Sequence, residues 1–177
     1  LIDENSPDRE MVDLLWVPTG GGKTEAYLML TAFEIFRRRL VHGVKGTGTA
    51  VITRYTLRLL TAQQFQRAAL LMCACEPIRR ESTDLFGDAP ITIGLWVGQS
   101  ASPNTYRAAN ALYLDMLAQQ KPSNPFPIRE CPWCKTTLVP DSQTEDHEEY
   151  GFRSNNNSFS IFCPMTDCEF HDQLPIG

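Results

Sequence analysis

No apolar run in this 177-residue sequence approaches the roughly 18 residues that a membrane-spanning helix needs, so membrane insertion is not expected. The opening stretch, LIDENSPDRE, is acidic. It has neither the basic start nor the apolar core of a signal peptide, and it does not begin with methionine. It reads as an internal cut from a longer, cytoplasmic protein. Positive charge is not in excess either: a formal net charge of −5 argues against a surface that binds polyanions all over, while leaving room for a local basic groove. The length excludes two large domains and allows one core with a small appendage.

What is present is the composition of a soluble globular chain, 42% apolar and 21% charged. The charges are segregated. Arginines gather at Arg37 to Arg39, Arg54, Arg58, Arg67, Arg79 and Arg80, whereas Asp141, Glu145, Asp146, Glu148 and Glu149 crowd a late stretch that reads as a solvated loop. Six cysteines with no secretory leader point to metal binding or free thiols rather than disulfides.

Three strand–helix units are predicted before residue 120. DLLWV (13–17) is a short apolar strand, and apolar residues at helical spacing follow from Lys23 to Leu40. TAVIT (49–53) precedes a helix from Leu59 to Glu76 that is expected to stop before Pro77. ITIGLWV (91–97) precedes a helix over 104–120. This alternation favours an α/β parallel sheet flanked by helices. At KPSNPFPIRE three prolines within seven positions forbid helix and mark a domain edge. The expected organisation is therefore 1–120 for the sheet domain, 121–172 for a cysteine-rich insertion, and 173–177 for the return toward the sheet.

The string VPTGGGKT lies between the first strand and the first helix, the context that gives a phosphate-binding loop its force. Gly20, Gly21 and Gly22 let the backbone curl so that successive N–H groups face an anion, and the following helix adds its positive N-terminal end. With Thr19 they would cradle the phosphates of ATP. Lys23 would then reach the β- and γ-phosphates and Thr24 would ligate Mg²⁺, making these two the candidate catalytic residues. A mere glycine-rich turn is the alternative. Val17 stands where the general P-loop has its first glycine, which argues against a GTPase or nucleoside kinase.

PTGGGKT resembles motif I of superfamily 2 helicases, where that first position is relaxed. RYTLRLLTAQQ (54–64) resembles the helicase segment PTRELxxQ, with Arg58, Leu60 and Gln63 in register and Thr56 in place of the proline. The resemblance implies contact with a nucleic-acid backbone by Arg54, Thr56, Arg58 and Gln63, against the plainer reading of a solvated basic helix start. Together with IGLWVGQSASPN, these blocks resemble DrmA-type helicases of bacterial DISARM anti-phage systems over most of residues 13–112. That implies a RecA-like P-loop fold, ATP-dependent action on single-stranded DNA or a duplex junction, and other subunits of a defence complex as partners.

Cys131-Pro-Trp-Cys134 and Cys163-Pro-Met-Thr-Asp-Cys168 form two Cys-Pro turns with 28 residues between them, the layout of a zinc ribbon. Four thiolates would close a tetrahedral shell around a structural Zn²⁺, the alternative being buried thiols or two disulfides. His171 could replace one sulfur. Cys73 and Cys75 fall within a predicted helix and are read as thiols without a ligand role. Phe152, Arg153, Asn155 to Asn157 and Phe159 offer either an aromatic, basic surface for single strands or a polar hairpin tip with Phe159 and Phe162 packed beneath the metal.

One part of an ATPase has no candidate: no predicted strand ends in the Asp-Glu pair that holds Mg²⁺ and orients water. The resemblance places that strand just beyond Gly177. The chain alone is thus expected to bind ATP without hydrolysing it. The competing reading is a non-enzymatic zinc module on a P-loop scaffold, binding nucleic acid or a protein; a P-loop switch or kinase is weakened by Val17.

Overall fold

The computed structural model describes Pro7, Met11 and residues 22–54, 58–98 and 102–177, the side chains of 58–62 excepted. The expected strand at 13–17, most of the glycine loop (Thr19, Gly20 and Gly21) and Thr56 lie outside the described residues. Helix α1 runs Lys23–His42, α2 Arg58–Glu81, α3 Thr83–Phe86 and α4 Tyr106–Leu117. A hairpin of β1 (Phe152–Ser154) and β2 (Phe159–Ile161) follows, antiparallel, with Phe152 opposite Ile161 and Ser154 opposite Phe159.

α1 begins where the glycines end. Arg39 and His42 occupy its last turn, where positive charge suits the helix dipole, and Gly43 terminates it at φ 55°. Gly46 is required by the turn behind: a Cβ there would meet the Arg38 carbonyl oxygen at 2.2 Å. Ile35, with Ala32 and Phe36 beside it, packs against Met72 and Cys75 of α2 and against Ile91. Phe36 also meets Phe86 edge to face at 4.8 Å.

α2 does not stop before Pro77, as the sequence suggests, but continues to Glu81. Proline in a helix costs about 3 kcal/mol through its missing N–H and its clash with the preceding turn. Tertiary contacts offset that cost. Glu76 is buried and accepts two hydrogen bonds from Arg79, at 2.6 and 2.9 Å, and one from the Ile91 N–H at 2.8 Å. Arg79 donates onward to the Gly87 carbonyl, and the buried Arg39 donates to the carbonyls of Phe86, Ala89 and Pro90. One carboxylate and two guanidiniums thus fasten α1, α2 and the 86–91 turn together.

Among the described residues the parallel sheet expected of a RecA-like domain is not formed. Residues 50–54 form no strand and pair with none of the described residues, and Ile52 is 87% exposed. Of the expected strand 91–97 a single parallel bridge is present, Ile93 to Ile176. The Ile93 N–H donates to the Pro175 carbonyl, and the Gly177 N–H donates to the Ile93 carbonyl. An apolar run becomes a strand only when a neighbour takes its backbone groups, and these runs have almost none. α4 is shorter than the predicted 104–120, because the Thr105 side chain caps it by accepting from the Ala108 N–H.

The principal core lies between the helices and the cysteine-rich region. Phe65, Ala69 and Cys73 of α2 and Ala109, Tyr113 and Met116 of α4 share one buried cluster with Phe126, Ile128, Cys131, Leu138, Tyr150, Phe152, Cys163 and Phe170.

Candidate metal centre

Each cysteine pair sits on its own turn. In the first, the Cys131 N–H donates to the Thr136 carbonyl at 2.8 Å and the Lys135 N–H returns to the Cys131 carbonyl at 3.0 Å, with Lys135 in the left-handed region at φ 68°. In the second, the Cys163 N–H donates to the Phe170 carbonyl at 2.9 Å and the Cys168 N–H to Met165 at 3.0 Å. The wider spacing of Cys163 and Cys168 is absorbed in that longer turn. Glycine is needed where the two turns approach. A Cβ on Gly151 would lie 2.7 Å from the Phe162 carbonyl oxygen and 2.8 Å from Leu138 Cδ2.

The sulfurs of Cys131, Cys134, Cys163 and Cys168 lie within 4.8 Å of one another. Cys131 and Cys168 are 4.0 Å apart, and Cys134 and Cys163 are 3.4 Å apart. Zn–S bonds of about 2.3 Å in a tetrahedron require sulfurs about 3.8 Å apart, so the set fits a closed four-thiolate shell with no position left for catalysis. All six cysteines are free, which excludes the two-disulfide alternative in this structure.

The environments of the four sulfurs differ. Burial pushes the Cys131 thiol up to about 11, although N–H groups of Cys134 and Trp133 hydrogen-bond its sulfur. Burial raises Cys163 as well, against the Met165 N–H. At Cys134 burial is the largest single influence and acts upward, but the Thr136 hydroxyl and N–H and the Cys163 and Cys168 thiols together outweigh it and draw the thiol down to about 6. Of the four sulfurs it is the one whose surroundings favour the thiolate, the form that binds a cation.

His171 is not among the clustered ligands. Its Nδ1 lies 2.8 Å from the Cys163 carbonyl oxygen, and its ring meets Phe162 edge on, so it braces the second turn. The aromatic, basic surface considered for single strands is absent: Phe152 and Phe162 are fully buried and Phe159 partly so. Arg153 lies over the Phe162 ring at 3.7 Å and is engaged by Glu148 and the Asp172 carbonyl. Residues 121–177 contain four Lys and Arg against nine Asp and Glu, so the net charge of the whole chain resides there.

Of the phosphate-loop residues, Gly22 is exposed at φ 76°, and Lys23 and Thr24 open α1 half-buried. Most of the arginine cluster is committed internally. Arg37 pairs with Glu34, Arg67 with Glu25, and Arg79 and Arg80 with Glu76. Arg54 is exposed without an ion pair among the described residues, Gln63 is exposed near the start of α2, and Arg58 is its first residue. Sequence reasoning missed the Glu76 cluster, whose only local signal is Glu-x-x-Arg, and missed the position of Cys73. That thiol is buried against the metal centre, and burial followed by the Cys131 and Cys168 charges pushes it up to about 12.

The fold and site define a helical layer closed by a four-cysteine, ribbon-type module able to hold a metal such as zinc. Over 96% of its length the chain is 36% identical to the DISARM protein DrmA of Bacillus paralicheniformis, and it spans 16% of that protein. The resemblance to DrmA-type proteins read from the motif blocks is thus borne out. No protein-family model and no solved structure matches the chain.

Proposed function

We propose that the chain is the ATP-binding segment of a DNA-dependent helicase-type motor in DISARM anti-phage defence, with a structural zinc held by Cys131, Cys134, Cys163 and Cys168. The observation that carries this reading is the sequence PTGGGKT ending at the first turn of α1, in a chain related to DrmA. Thr19 to Lys23 would hold the nucleotide phosphates and Thr24 the Mg²⁺. The zinc would supply cross-linking alone, since four thiolates complete its shell.

Titration with Mg²⁺ and ATP, read by calorimetry, tests the first part. The wild-type chain is expected to bind weakly and Lys23→Ala not at all, and neither to release phosphate with or without single-stranded DNA, because no acidic partner for Mg²⁺ is found within the 177 residues. DNA-stimulated turnover that Lys23→Ala abolishes would show such a partner to be present. Failure of the wild type to bind would reduce the loop to a scaffold.

Arg58 and Arg54 are the proposed phosphate contacts on DNA, supported by the exposure of Arg54. Arg58→Ala should weaken DNA binding about equally for all sequences and lower the salt slope by roughly one. An unchanged slope would return Arg58 to the solvated helix start.

The acidity of residues 121–177 favours a second role for the module, as a docking face for a protein rather than for nucleic acid.

A further inference from the structure

Helix α2 carries two cysteines two residues apart, and the structure sets them in different cores. Cys73 is buried with Phe65 and Ala69 in the cluster that contains the ligands Cys131 and Cys163 and against which Cys168 packs. Cys75 is buried with Ile35, Met72 and Ile91, on the side of α1. One face of α2 therefore roofs the metal centre, and the other belongs to the α1 layer.

The contacts on the roofing face run nearly the length of the helix. Gln66 Nε2 donates to the Glu130 carbonyl at 3.2 Å, next to the first ligand. Fourteen residues on, Arg80 pairs with Glu169 at 3.7 Å, next to the last ligand, and lies over the Phe170 ring. The middle of the helix and its C-terminal end are thus tied to residues adjoining cysteines of the cluster. Apart from the apolar core they share with α2 and α4, the two cysteine turns are held by short backbone bonds and the β1–β2 hairpin.

We propose that the four-cysteine centre positions α2, so that metal occupancy governs how firmly this helix, with Arg58 and Gln63 near its start, is presented. The consequence for DNA rests on the function proposed above; the consequence for the helix does not. The α1 side is held by the Glu76 cluster and the Phe36–Phe86 contact, neither of which includes a ligand. Loss of metal should consequently loosen one face of α2 first.

The two thiols report the two faces separately. The intact chain, loaded with zinc, is compared with the same protein after stripping by a chelator and after readdition of zinc. Alkylation at Cys73 and Cys75 is mapped by mass spectrometry, alongside hydrogen exchange of residues 63–81. In the stripped protein Cys73 is expected to react at least about tenfold faster while Cys75 changes by no more than about threefold, as for a sub-global opening, and zinc should reverse the change. Affinity for a labelled single-stranded oligonucleotide is measured in all three states and should fall on stripping and recover with zinc.

Unchanged reactivity of Cys73 with unchanged exchange over 63–81 overturns the proposal. Equal opening of both thiols also overturns it, since the metal would then support the whole chain rather than position one helix. Opening of Cys73 with unaltered oligonucleotide affinity removes the link to presentation of Arg58 and Gln63. Absence of oligonucleotide binding even with zinc bound, together with selective opening of Cys73, defeats the DNA reading and supports the positioning of α2.

Discussion

Cys163→Ser is expected to purify with close to no zinc, where the wild type is expected to carry one ion per chain, and to lose the cooperative melting of its principal core. Apparent binding energies of about 10 to 16 kcal/mol for structural zinc act as folding energy when no preformed site exists in the unfolded chain. Between residues 131 and 172 regular structure amounts to a hairpin of two three-residue strands and one short 3₁₀ turn, so order there rests on the buried apolar side chains, such as Leu138, Tyr150, Phe152 and Phe170, and on the cysteine cluster. The damage should spread beyond the ligands, because Tyr113 and Met116 of α4 and Phe65 and Ala69 of α2 are buried in the same cluster as Cys163. Elemental analysis and near-ultraviolet circular dichroism read the two effects. A variant with one zinc per chain and wild-type melting would mean that the thiols are merely neighbours. Trp133→Ala, at a half-exposed position between two ligands, serves as the control expected to keep its metal.

Acid should reproduce this loss in the wild type. Burial raises the Cys131 and Cys163 thiols, so protons compete with a cation for those sulfurs over the whole neutral range. Affinity falls as pH falls, and the drop steepens as Cys134, drawn down to about 6, also takes up its proton.

The second large effect is expected at Glu76. Glu76 is 3% exposed and receives Arg79, Arg80 and the Ile91 N–H, so Glu76→Ala leaves the buried Arg79 guanidinium without its ion-pair partner. Breaking a buried ion pair by removing one partner costs about 3 to 5 kcal/mol, and urea unfolding followed by far-ultraviolet circular dichroism should show a loss of that order. A loss below about 1 kcal/mol would show the cluster to be incidental. Burial alone would raise the Glu76 pKa, but the Arg79 hydrogen bonds, the Ile91 N–H and the charges of Arg79 and Arg80 together lower it. A carboxylate depressed in the folded state contributes stability that is complete above its unfolded value, near 4.3, and is lost as pH falls through the lower folded value. The wild type should show that acid loss and Glu76→Gln should not. Because the partners of the Glu76 carboxylate are Arg79, Arg80 and the Ile91 N–H and include none of the four clustered cysteines, the variant should retain its zinc.

Patterns of short range were legible before the structure. α1 begins at Lys23 as read, since good helix formers follow the glycine run directly and nothing distant competes with them. The four cysteines come together as expected, because two tight turns with paired thiols have one favourable way to share an ion. The resemblance of the motif blocks to DrmA-type proteins was equally a property of local strings.

Properties that depend on partners remote in sequence were not legible. TAVIT and ITIGLWV read as strands from their apolar content, yet strandhood is a relation between chains, and the only neighbour that the described residues supply is Ile176, reached from Ile93 across 83 positions. Pro77 read as a stop because the helix beyond it is held by Ile91 and Gly87, which no helical periodicity points to. Arginines that look like one basic patch divide, once folded, into Arg39 and Arg79 inside and Arg54 outside. The sequence by itself therefore determined which residues form the metal-binding set and where its turns lie, since spacing alone sets the reach of adjacent thiols. Only the tertiary structure decided that this set shares its core with α2 and α4, because burial against a distant helix is a property of contacts that the order of residues does not express.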